Sequence, residues 1–107
     1  MHEVLTTSVV LSSDVPLDAA PAISAPHGVI RVELTLSQPV AEYYDVALMT
    51  IAGDSVFSAN GLKRLESETI GFHVPSDAVP PGDYQVNLLR IDGESKQNAG
   101  TYYFHVR

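Results

Sequence analysis

From Pro80 to the end, the chain is written as a turn, a strand, a turn and a strand. Pro80-Pro81-Gly82-Asp83 precedes Tyr84-Gln85-Val86-Asn87-Leu88; Asp92-Gly93 then precedes Gly100-Thr101-Tyr102-Tyr103-Phe104-His105-Val106. Proline locks φ and removes a donor, so the first motif is a stiff reversal. Every second residue that follows is large and apolar, which in an extended chain puts Tyr84, Val86 and Leu88 on one face and Tyr102, Phe104 and Val106 on one face of the next strand. A helix would need apolar residues three and four apart. The segment therefore reads as an antiparallel hairpin with one side in a core.

The rest of the chain obeys the same rule. About seven apolar runs are separated by turn residues every 8–14 positions or so, the spacing of a sandwich or small barrel. In residues 28–36, Ile30, Val32, Leu34 and Leu36 alternate with Arg31, Glu33 and Thr35. The stretch 12–28, with Pro16, Pro21 and Pro26, is too rich in proline for a helix and suits an edge strand near Ala22-Ile23-Ser24 that switches sheets. Ala52-Gly53-Asp54 and Asn60-Gly61 read as turns on either side of Ser55-Val56-Phe57-Ser58, and Ser76 as the cap of a single helical turn. Tyr84 stands where immunoglobulin-like folds keep a corner tyrosine. The expectation is one domain over residues 1–107, an all-β, immunoglobulin-like antiparallel β-sandwich of about seven or eight strands. Its expected inner faces are Val9, Leu11, Ile30, Val32, Leu34, Leu36, Tyr44, Val46, Leu48, Phe57, Ile70, Phe72, Val74, Tyr84, Val86, Leu88, Tyr102, Phe104 and Val106.

Composition narrows the chemistry. Thirteen acidic residues against six basic ones give a net charge of −7, with the basic residues dispersed, so nucleic acid and anionic membrane surfaces are poor partners. No apolar run is long enough to span a bilayer, so no membrane insertion is expected in this segment. Met1-His2-Glu3 lacks a signal-peptide layout, which suggests a cytosolic protein or a piece of a longer one. With no cysteine there is no disulfide or thiolate site. His2, His27, His73 and His105 lack the spacing of metal ligands. The pairs Glu66/Glu68 and Asp92/Glu94 sit in or beside turns and read as solvated acids, and Asp92-Gly93-Glu94-Ser95 lacks the alternating acids of a calcium loop. There is no Gly-x-Ser-x-Gly elbow. No cofactor, no metal and no enzymatic activity are expected.

One pattern points outward. Tyr43, Ala47, Met49, Ile51, Leu89, Ile91 and Tyr103 alternate away from the core on three strands that share a sheet in an immunoglobulin-like sandwich. Such a patch on a small acidic domain is what a protein interface looks like, and Tyr43, Met49, Leu89 and Tyr103 are the candidate partner-binding residues. A β-bulge near Leu88-Leu89 that buries part of the patch is the alternative. The expected partner is another protein, or a second copy paired through the exposed closing strand. A carbohydrate-binding or adhesion-type module is the alternative function, with Tyr43 and Tyr103 as its stacking platform.

Arg31-Val32-Glu33-Leu34-Thr35-Leu36, Tyr44-x-Val46-x-Leu48-x-Thr50, Gly61-Leu62, Val79-Pro80-Pro81-Gly82-Asp83-Tyr84-x-x-x-Leu88 and Gly100-x-Tyr102-x-Phe104-x-Val106 follow in order. Over residues 4–107 this resembles the β-sandwich at the C-terminal end of anti-sigma-factor or zinc-finger membrane proteins of Acidobacteria and related bacteria. The resemblance implies a periplasmic or otherwise extracytoplasmic, non-enzymatic interaction or sensory module. In that family the module is joined through a membrane helix to a cytoplasmic zinc-binding segment.

Overall fold

The structure, a computed structural model, describes residues 6–12, 15–24, 28–36, 41–65 and 69–107. Eight strands form among them: β1 (Thr6–Ser12), β2 (Ala22–Ile23), β3 (Val29–Thr35), β4 (Tyr43–Thr50), β5 (Ser55–Lys63), β6 (Thr69–Pro75), β7 (Gly82–Asp92) and β8 (Ser95–Val106). One sheet has the order β1-β3-β6 and the other β2-β8-β7-β4-β5. The expected all-β sandwich forms, and its closing hairpin is the β7–β8 pair, with Tyr84 opposite Phe104 and Val86 opposite Tyr102.

The two inner faces meet in one core. Leu11, Ile30, Leu34, Tyr44, Leu48, Ile70, Leu88, Tyr102 and Phe104 are essentially inaccessible to solvent. Burying side chains of this size contributes roughly 1.5–3 kcal/mol each before chain entropy is subtracted. Every residue assigned to an inner face is buried except Phe57, which is partly buried and stacks on Phe72 across the sheets, with ring centroids 5.9 Å apart. The Tyr102 hydroxyl donates to the Thr35 carbonyl at 2.9 Å and so ties β8 to the end of β3. A buried phenol needs such a partner.

Four local features differ from the sequence reading. Two pairings run parallel, β1 with β3 and β2 with β8, because the connector through the 3-10 turn Leu17–Ala19 carries the chain from one sheet to the other. Asn60-Gly61 does not reverse the chain. It lies inside β5, where the pairing to β4 shifts register between Tyr44 and Val46, and Gly61 takes φ +66°. The same dipeptide that writes a hairpin turn can write a bulge, because both need positive φ. Ser76 is not a cap. Pro75 occupies that position in the 3-10 turn Ser76–Ala78, and the Ser76 N–H donates to the Gly28 carbonyl at 3.0 Å. The edge of the closing strand is occupied at one end, where β2 pairs with His105 and Val106.

His2, His27, Glu66, Glu68 and Pro26, and Val4 and Leu5 at the start of the apolar run that continues to Leu11, lie outside the described residues.

Candidate functional site

The five-stranded sheet turns one face to the core and the other to solvent, and the pairing register sets what stands beside what on the outer face. Met49 on β4 lies opposite Gln85 on β7, and Gln85 lies opposite Tyr103 on β8. Ala47, Asn87 and Thr101 form the next row, and Asp45, Leu89 and Asn98 the one after. Tyr43, opposite Lys63, and Ile91, opposite Lys96, lie at the far end. Tyr43, Met49, Leu89 and Tyr103 therefore share one face, as alternation requires.

They form two groups on that face. Met49 and Tyr103 flank Gln85, whereas Leu89 lies with Tyr43 and Ile91 beyond a polar row. In that row the Thr101 hydroxyl donates to the Asn87 side-chain carbonyl at 3.1 Å. Gln85 donates through Nε2 to the Thr50 carbonyl at 3.2 Å. Tyr43 is exposed, while Met49, Leu89, Ile91 and Tyr103 are half-buried. Ile51 is exposed in the β4–β5 turn. Six residues of strand separate Tyr43 from the Tyr103 row, about 20 Å at ~3.3 Å per residue. The two tyrosines cannot stack on one sugar ring.

The bulge considered near Leu88-Leu89 is present. Register shifts there because β8 carries an extra residue, Ala99, between the partners of Leu88 and Leu89. Ala99 packs partly against the core.

Asp45 escaped the sequence reading. It points to the outer face yet is only 5% exposed. Its Oδ1 accepts the Gly61 N–H at 2.8 Å, and its Oδ2 pairs with Lys96 Nζ at 2.8 Å. Asp45 pairs with Leu89 and Lys96 with Ile91, so this ion pair crosses β7 in the half of the face that holds Leu89. The Lys96 hydrogen bond holds the Asp45 carboxyl below its ordinary value; burial opposes it, and the Gly61 N–H and the Lys96 charge add to it. The only signal for this in sequence is an acid placed between apolar neighbours on β4, opposite a glycine that bulges.

At the other end of the hairpin, His105 Nδ1 lies 2.6 Å from Asp83 Oδ1 and Nε2 lies 2.8 Å from the Leu17 carbonyl. His73 is exposed on β6. Asp92 takes the Arg90 Nε at 2.7 Å. Among the described residues no three His, Asp or Glu side chains gather as a metal site would require, and no helix is long and apolar enough to cross a membrane. An open cleft of about 360 Å³ lies between the 3-10 turn Ser76–Ala78, the Pro80-Pro81 turn and Arg107.

No protein-family profile and no curated protein matches this sequence. In three dimensions the chain is similar to the N-terminal domain of phage TP901-1 ORF48, with a TM-score of 0.51 and 9% identity, over 95% of this chain and 98% of that one. At that identity the likeness is one of fold.

Proposed function

We propose that this sandwich is a non-catalytic protein-interaction module that docks its partner on the outer face of the five-stranded sheet. The observation that carries the reading is the row Met49–Gln85–Tyr103. Two large half-buried side chains there flank a glutamine held in place by its bond within the sheet, so covering them desolvates apolar surface and leaves the Gln85 Oε1 and the Tyr103 hydroxyl to bond the partner. Leu89, Ile91 and Tyr43 extend the contact along the same strands. The acidic surface disfavours anionic partners. Use as a module fits the phage neighbour, in which this fold is the N-terminal domain of a protein. An extracytoplasmic setting, implied by the resemblance to the C-terminal domains of anti-sigma-like membrane proteins, belongs to the same proposal; fractionation of cells that express the full-length protein tests it.

The docking test compares immobilised wild-type domain with Met49→Asp and with Asp77→Asn, a change at an exposed position in the 3-10 turn Ser76–Ala78, outside the sheet. A partner held by wild type and Asp77→Asn, lost with Met49→Asp, and bound again as a purified protein in calorimetry supports the assignment. Equal capture by all three proteins refutes it.

A further inference from the structure

We propose that β1 is a self-pairing edge: a second copy of the chain adds its own β1 antiparallel to this one across a two-fold axis, which joins two three-stranded sheets into one of six. An edge strand offers unpaired backbone N–H and C=O groups to any extended chain, and proteins ordinarily blunt it with bulges, charges, proline or a covering segment. Three edges here are blunted. β5 has two register shifts against β4 and ends on Lys63. β6 carries His73 and ends on Pro75. β8 is capped by β2 at His105 and Val106 and carries Lys96 and the Ala99 bulge.

Among the described residues β1 has none of these devices. Its seven residues, Thr6-Thr7-Ser8-Val9-Val10-Leu11-Ser12, pair with β3 in unbroken register and include no charge, no proline and no glycine. Among the described residues no strand pairs with its other side. Val10, in the middle of the open strand, is 59% exposed, the most of any large apolar side chain described.

A second copy is favoured because the strand matches itself. Antiparallel pairing centred on Val10 places Val10 against Val10, Val9 against Leu11, and Ser8 against Ser12 of the other copy. Each contact joins like polarity on the same face, as an isologous interface demands. The inner pair, Val9 and Leu11, already belongs to the core, so the two cores become continuous at the seam. Charge does not oppose the approach there although the chain carries −7 overall. The nearest charges on the adjoining strand, Arg31 and Glu33, are bonded to each other at 2.7 Å. This surface lies on the other sheet from the docking face proposed above, and neither reading depends on the other.

Sedimentation velocity from about 10 µM to about 1 mM tests the pairing. It is combined with amide hydrogen exchange at the same concentrations. The expected result is a monomer–dimer equilibrium in which those amides of residues 8–12 that point away from β3 gain protection as the dimer fills. Val10→Lys sets two lysines against each other at the seam and weakens dimerisation roughly tenfold or more. Val10→Thr keeps strand propensity and retains the dimer. Because this side chain is already exposed, an unchanged melting temperature and circular dichroism spectrum at about 10 µM, where the monomer prevails, confirm that both variants fold. Three results overturn the proposal: a monomer throughout the range, a dimer indifferent to Val10→Lys, or protection that arises elsewhere. A different protein captured on β1 while the free domain stays monomeric overturns it as well, since the edge would then serve a foreign strand.

Discussion

Asp45 holds Gly61, sixteen residues away, by accepting its N–H at 2.8 Å. The bond closes a bulge rather than a turn. β5 gains a residue opposite Asp45, and the carboxylate takes the amide that the bulge removes from the ladder. Its second oxygen meets Lys96 beyond β7. One buried acid thus links three strands of the five-stranded sheet, on the face assigned to docking.

Removal of that acid therefore loosens an edge. Asp45→Ala is expected to cost about 1–2 kcal/mol, the scale of a hydrogen bond to a charged group discounted for the exposed Lys96. The melting temperature should fall by several degrees. Asp45→Asn keeps an acceptor for Gly61 and should cost less. Urea titration of both variants checks the order, and equal losses would mean that Gly61 contributes nothing.

The same carboxylate gives the fold an acid limit. Its folded value lies below the ordinary 3.8, first because of the Lys96 hydrogen bond. A lowered acid contributes stability that is fully present above the unfolded value and is lost as pH falls through the folded one. The stability gap between wild type and Asp45→Asn should be constant above about pH 5 and shrink below the ordinary carboxylate range. Denaturation curves over that interval decide; a gap that does not narrow in acid refutes the assignment.

Tyr84 makes the corner that its sequence position promised. Its hydroxyl donates to the Pro80 carbonyl, and its ring stacks on Phe104 with centroids 5.5 Å apart. Tyr84→Phe keeps the stack and loses the bond, so about 0.5–1.5 kcal/mol should go. Tyr84→Ala empties a core site and should cost about 3–5 kcal/mol. If the two variants unfold at the same urea concentration, the ring is not what anchors the hairpin.

The strands were legible because alternation is a local signal: each inner-face residue of β3, β4, β7 and β8 declares itself through its neighbours two positions away. The outer face was legible by the same parity, which is why Tyr43, Met49, Leu89 and Tyr103 fall together on it. Their division into two groups was not, because row order depends on pairing between distant strands and on the Ala99 bulge. Asn60-Gly61 was ambiguous for a chemical reason, since turn and bulge need the same positive φ. Asp45 went unremarked because an acid at an outward position gives no local hint of the Gly61 amide or of Lys96. The parallel partners of β1 and β2 were equally hidden, as hydrophobic period carries no strand direction.

His105 ties the crossing segment to the closing strand. The Leu17 carbonyl faces Nε2, the Asp83 carboxylate faces Nδ1, and the His105 N–H donates to the Pro21 carbonyl at 2.9 Å. The ring thus bridges the crossing segment and the start of β7. His105→Ala leaves the backbone pairing of β2 in place and removes the side-chain link to the 3-10 turn Leu17–Ala19. Segments held by few buried contacts open locally at little cost to the whole. Amides of residues 17–23 should therefore exchange about tenfold faster in the variant, a local loss of about 1.4 kcal/mol, while Val86 and Phe104 keep their protection. Uniformly faster exchange across the core would show instead that His105 supports the whole sandwich and not this crossing alone.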